Sequence, residues 1–213
     1  MSFNFTDQII NSFDNCLRTL TNAHSTDREH PFNPDKHTSN QDLSKNEQQH
    51  IAGLMRVNHC GEVCAQALYQ GQALTSHSIS TQKSMMDASS EEIDHLIWCK
   101  DRLSELNSHT SLLNPFCYHF SFSLGAVTGL LGDKISLGFV ASTEELVSQH
   151  LENHLSQLPE NDLKSKAILE TMLEDEINHK NSAMSDGGID LPFPIKSAMS
   201  AVSKIMTKIT YYI

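Results

Sequence analysis

Apolar residues return every three to four positions through most of this chain, and short polar stretches divide the periodic runs into separate helices. Ile9, Ile10, Phe13, Leu17 and Leu20 give a short amphipathic helix from Thr6 to Leu20. Thr21 to Leu43 is polar, carries Pro31 and Pro34, and reads as a mobile linker. Ser44 followed by Glu47 is a capping box, so a long helix is expected from there to about Thr75. Further helices are predicted from about Thr81 to Leu106, Asp133 to Leu158, and Asp162 to Met184, the last stopped by Gly187 and Gly188. The turns at Ser76–Ser80 and Pro159 join these four into two antiparallel hairpins.

Two stretches depart from the pattern of one apolar face and one solvated face. Asn114 to Gly132 has no formally charged side chain and includes Phe116, Phe120, Phe122, Leu124, Val127 and Leu130. It is short for a membrane span and broken by Pro115, so it is expected to cross the bundle and dip into one leaflet, or to be a buried crossover helix. Gly125 and Gly129 would permit a close helix contact. Near the C-terminus, Ile195, Met199, Val202, Ile205, Met206 and Ile209 share a face, with Lys196, Lys204 and Lys208 off it. That pattern suits an anionic membrane surface, with Tyr211 and Tyr212 at headgroup depth, and a plain amphipathic helix packed on the bundle would show it as well.

The chemistry lies on the core-facing stripes. Each hairpin carries a lone glutamate and, about thirty residues later, Glu-x-x-His: Glu62 with Glu92 and His95, then Glu144 with Glu176 and His179. Residues three apart on a helix share a face, so each Glu-x-x-His directs a carboxylate and an imidazole to one point. Glu62 lies about 22 Å before its turn and Glu92 about 18 Å after it, and Glu144 and Glu176 each lie about 22 Å from theirs. Two packed hairpins would therefore gather all six groups into one layer. Four carboxylates and two imidazoles are the ligand set of a di-iron carboxylate bundle. Glu144 shares its stripe with Leu137, Val140 and Leu151, and Glu176 with Leu169 and Met172, without a neighbouring Arg or Lys to balance either. Oxygen and imidazole donors without thiolate favour iron or manganese, and two iron ions per chain are expected.

Composition narrows the class. At 213 residues and 38% hydrophobic, the chain can bury one sizeable core. A net charge of −11 speaks against nucleic acid as a partner and against a general attraction to anionic lipid. Five cysteines, largely within predicted helices, do not form a disulfide framework, and Cys60 and Cys64 read as small core residues. The first residues lack a signal peptide's basic and apolar regions, so an intracellular protein is expected. No glycine pattern for a nucleotide is evident, so electrons would come from a separate donor or reductase.

With these motifs in view, Leu54-Met55-Arg56-Val57-Asn58-His59-Cys60-Gly61-Glu62, Glu92-Ile93-Asp94-His95, Thr143-Glu144-Glu145 and Glu176-Ile177-Asn178-His179 together resemble the demethoxyubiquinone hydroxylases of ubiquinone biosynthesis, proteobacterial branch. The likeness runs from Ser44 to the C-terminus and includes Ala65 to Gln72. It implies an all-α, ferritin-like four-helix bundle with an apolar crossover and a C-terminal amphipathic helix. Residues 44–213 would be the hydroxylase domain, preceded by a helix and linker over 1–43. It implies that Glu62, Glu92 and His95 bind one iron, and Glu144, Glu176 and His179 the other. The implied reaction is monooxygenation of a polyprenylated benzoquinol by O2, on the cytoplasmic side of the cell membrane, as a peripheral protein beside other ubiquinone-biosynthesis proteins.

Asp175 is the candidate to hold His95 by a hydrogen bond, and His59 and His150 are either candidates to touch the substrate or hydrogen-bonded core histidines. Val63 stands where animal members have tyrosine, so no tyrosyl role transfers to that position. Rival readings are a ferritin-like protein that oxidises or stores iron, a hydroxylase of a prenylated tRNA base, and a scaffold with a vestigial site. The apolar crossover argues against the first and the acidic charge against the second.

Overall fold

The computed structural model describes residues 5–21, 23–26, 28–32 and 43–213. Among them are helices α1 (Phe5–Thr21), α2 (Lys45–Thr75), α3 (Ile79–Glu105), α4 (Asn114–Leu130), α5 (Asp133–Gln157), α6 (Leu163–Ser185) and α7 (Phe193–Thr210). The boundaries follow the local chemistry. Ser44 accepts from the Glu47 amide while Glu47 accepts from the Ser44 amide, the reciprocal cap expected from the sequence. Asp162 accepts from the Ser165 amide at the start of α6, and Gly187, with φ of 106°, follows its last turn where a side chain would be strained.

The helices α2, α3, α5 and α6 form an antiparallel bundle around Ile51, Met55, Trp98, Leu103, Leu151, Ile168, Leu169 and Met172, all buried. At one end Arg102 of α3 reaches Asp162 at 2.9 Å and Ser165 at 2.8 Å, closing α3 onto the start of α6. The buried carboxylate is thereby paired and hydrogen-bonded, as burial requires.

Within Asn114–Gly132 the chain forms one helix, α4, and it lies along α2. The close approach is made at glycine. A Cβ on Gly71 would run into the Phe122 carbonyl, and one on Gly125 into that of Leu68. One face of α4 is thus buried on α2, while Phe116, Phe120, Val127 and Leu130 remain exposed. Helix α7 packs on α2 and α5, and Met199 joins Leu124 of α4 at a cluster built on Leu68, Phe139 and Leu191. Its outer face exposes Ile195, Val202, Ile205 and Ile209. Among the described residues no helix is long and apolar enough to cross a membrane.

Two expectations are corrected. Tyr211 does not face outward: its ring covers Gly53, its hydroxyl lies 2.7 Å from His50 Nδ1, and its carbonyl accepts from Arg56. Only Tyr212 is exposed. The described part of the expected mobile linker is docked, with Phe32 buried and Thr26 and Arg28 bonded to α3 and α6; the rest of it, 22, 27 and 33–42, lies outside the described residues.

Candidate metal centre

Glu62, Glu92, His95 and Glu176 converge in the bundle core, each offering a donor atom within 4.8 Å of the others. All four are buried, as is Glu144. His95 Nδ1 lies 2.9 Å from Glu92, 3.4 Å from Glu176 and 3.9 Å from Glu62. His179 Nδ1 lies 3.0 Å from Glu92 and 3.5 Å from Glu176. Glu144 enters from α5 beside Glu176 and accepts a hydrogen bond from the Tyr69 hydroxyl. The structure thus brings together all six residues singled out in the sequence.

Both imidazoles present Nδ1 to the layer because Nε2 is engaged from outside. His95 Nε2 lies 2.9 Å from Asp175, the partner expected for it. Asp175 is held by Arg28 at 2.7 Å, and the Arg28 guanidinium rests over the Trp98 ring at 4.9 Å. His179 Nε2 lies 2.7 Å from Glu91 on α3. Such outer partners fix ring orientation and leave the inward nitrogen as a donor to metal.

The layer demands positive charge. Burial raises the pKa of Glu62 and Glu144 well above the carboxylate range, and neighbouring carboxylates add to the shift. Burial opposes ionisation of Glu92 too, yet His95 and His179 hold it below its ordinary value. For His95, burial opposes the charge, but Glu92 and Asp175 outweigh it and push its pKa well above 6.5. His179, against the same opposition from burial, is pushed up to about 12 by Glu176 and Glu92.

Glu144 Oε2 is buried without a hydrogen-bond partner, while Glu92 Oε1 and Glu176 Oε2, also buried, meet His179 Nδ1 at 3.0 and 3.5 Å without forming an aligned hydrogen bond. Unpaired buried donors and acceptors are costly, and a metal ion could satisfy so crowded a layer of carboxylate and imidazole atoms. The set contains only carboxylate oxygen and imidazole nitrogen, which fits iron.

Sequence reading missed four contributors. Tyr69 lies two turns beyond Glu62 on the same face of α2, a signal that was available. Glu91 is adjacent to Glu92, but only the α3–α6 packing shows which group it serves. Arg28 and Trp98 left no local signal. His59 is buried against Asn114, 3.4 Å away, and burial lowers its pKa to about 4, so it is a neutral core group. His150 stacks on His154 with ring centroids 6.4 Å apart.

A helical bundle with a buried carboxylate and histidine layer defines the class: a ferritin-like metalloprotein whose interior can hold iron. The family model for ubiquinone biosynthesis protein COQ7 matches residues 49–210, and the chain belongs to that family. It is 53% identical over 208 residues to the 3-demethoxyubiquinol 3-hydroxylase of Acinetobacter baumannii, covering 97% of each chain. The enzyme of the same name from Acinetobacter baylyi is 53% identical over 207 residues, again covering 97% of each chain. That from Stutzerimonas stutzeri is 52% identical over 207 residues, covering 97% of this chain and 95% of that one.

Proposed function

We propose that this chain is a 3-demethoxyubiquinol 3-hydroxylase, in which Glu62, Glu92 and His95 hold one iron and Glu144, Glu176 and His179 a second. The observation that carries the reading is the buried six-residue layer, where four carboxylates crowd on two imidazoles and Glu144 Oε2 has no hydrogen-bond partner. Nearly full-length similarity to enzymes of that name supports the substrate.

When bound, the iron pair supplies reductive activation of O2, which the side chains alone do not provide. One oxygen atom replaces hydrogen on the quinol ring as hydroxyl, and the other leaves as water with two protons and two electrons. The electrons come from a separate donor or reductase.

The protein orients and protects this chemistry. Asp175 and Glu91 accept from the Nε2–H groups of His95 and His179, fixing the tautomer in which Nδ1 is the ligand. Tyr69 donates to one oxygen of Glu144 and leaves the other for metal. Burial, with Glu144 nearby, raises the Tyr69 pKa, so the hydroxyl stays protonated in that role. A small opening lined by Tyr69, Met85, Ala88, Leu137, Val140 and His179, together with Ser84, Ser182, Ala183 and Asp186, is the side from which the ring would approach the layer.

The same reading places the protein peripherally on the cytoplasmic side of the membrane, where a polyprenyl tail resides. Exposed Phe116, Phe120, Val127 and Leu130 of α4 and Ile205 and Ile209 of α7 are the apolar anchors, with Lys204 and Lys208 for anionic headgroups. Lys196 serves within the protein instead, paired with Asp190 at 2.5 Å.

The test is to load the protein with ferrous iron without oxygen, add a demethoxyubiquinol and reductant, admit O2, and weigh the quinone by mass spectrometry. A product heavier by one oxygen atom supports the hydroxylase. Iron that oxidises and accumulates while the quinol is unchanged would establish the iron-storage alternative.

A further inference from the structure

A second group of metal-ligating side chains lies on the other side of α2. Cys60 and Cys64 are one turn apart on that helix, and Cys117 of α4 is brought to them by the packing of α4 along α2. The three Sγ atoms lie within 4.8 Å of one another, and none is in a disulfide. Met206 of α7 adds a thioether, with Sδ 3.7 Å from the Cys64 sulfur. Cys60 and Cys117 are buried and Cys64 is half-buried, so the cluster is shielded yet reachable from one side.

Position separates it from the acidic layer. Glu62 is two residues from both Cys60 and Cys64, a rotation of roughly 200° about the helix axis. The thiols therefore face α4 and α7, while Glu62 faces the carboxylates. A thiol is a weak donor and a weak acceptor, so three thiols gathered together gain little from one another by hydrogen bonding. A metal ion is the partner that would use all three.

The donor set selects the metal. Sulfur donors without carboxylate or imidazole suit soft ions and leave iron(II), manganese and magnesium to the acidic layer. Structural zinc takes a tetrahedron of thiolates and imidazoles, and no fourth such group belongs to this cluster among the described residues. Three thiolates with an auxiliary thioether suit monovalent copper.

We propose that Cys60, Cys64 and Cys117 form a thiolate site for Cu(I), with Met206 as an auxiliary ligand, separate from the acidic layer. The ion replaces the thiol protons and no electron is transferred. Occupied, the site links α2 to α4 and α7, and these last two helices expose Phe116, Phe120, Val202 and Ile205.

Iron-loaded, reduced protein is titrated anaerobically with Cu(I) against a chromogenic copper(I) chelator, and copper and iron are counted in the same sample. About one copper per chain is expected, with iron unchanged and sulfur-to-copper charge-transfer absorption in the ultraviolet. Cys117→Ser should lose the copper under the same chelator while keeping its iron and helical circular dichroism. Cys16→Ser, in α1 and outside the cluster, should keep both. X-ray absorption on the unaltered protein tests the ligands independently of any variant: a shell of sulfur alone supports the site. No copper uptake, uptake that survives Cys117→Ser, displacement of iron, or a nitrogen and oxygen shell would each overturn it. Because the two metals are counted separately, failure of the copper site leaves the iron reading standing.

Discussion

The two halves of the bundle carry the same motif in unequal surroundings. His95 of the α2–α3 half is fully buried, lies against Trp98 with ring centroids 5.6 Å apart, and is backed by Asp175, itself clamped by Arg28. His179 of the α5–α6 half borders the small opening, and its outer partner, Glu91, is 61% exposed. An internal repeat therefore fixes which atoms meet at the centre but not how firmly each is held. His95 is thus enclosed, whereas His179 stands beside an opening whose walls come from both halves.

That contrast can be broken most severely at the centre. Glu144→Ala should abolish hydroxylation while the helical signal in circular dichroism persists; full activity in the folded variant would remove this residue from the site. Loss of the carboxylate leaves the Tyr69 hydroxyl unpaired, a cost of about 1–3 kcal/mol. It also removes one of several crowded carboxylates, so folding should survive.

Next come the outer partners, where the two halves should part company. Asp175→Asn should weaken iron binding by roughly 10- to 100-fold, the effect usual for such supporting groups. Glu91→Gln should do less, because solvent already screens that carboxylate. Equal losses in the two variants, read by chelator competition, would erase the asymmetry. Arg28→Ala should have the smallest effect, since this partly exposed cation acts only through Asp175.

Protons give a further handle. In iron-free protein both imidazoles have raised pKa values, so they are protonated near neutrality and must lose those protons to bind metal. Their contribution to the stability of the iron-free fold is complete below about pH 6.5, the ordinary imidazole value. It is lost as pH rises toward the folded values, about 12 for His179. Iron affinity should run the opposite way and increase with pH, with protons released into weak buffer on loading. Affinity that falls as pH rises from about 6 to about 8, the range in which unperturbed imidazole titrates, would contradict these assignments.

How much of this was legible in the sequence depends on the range of the contact. Periodicity and caps gave the bundle helices to within a residue or two, since Ser44, Asp162 and Gly187 act on their own turns. The six-residue layer was legible because its register follows from helical rise and matched hairpin lengths. Asp175 could be nominated because it adjoins Glu176. Arg28 could not, since its bond to Asp175 spans 147 positions and depends on how a polar segment docks. Tyr211 was misassigned for a related reason: aromatic residues at a chain end suit an interface by composition, but Gly53 leaves a space that its ring fills.

The central claim is that one layer holds two irons, and anaerobic titration with ferrous iron tests it most directly. The account predicts a break at about two irons per chain, the number that four carboxylates and two imidazoles are built to hold. A break at about one would mean that the second half of the repeat does not complete a metal site.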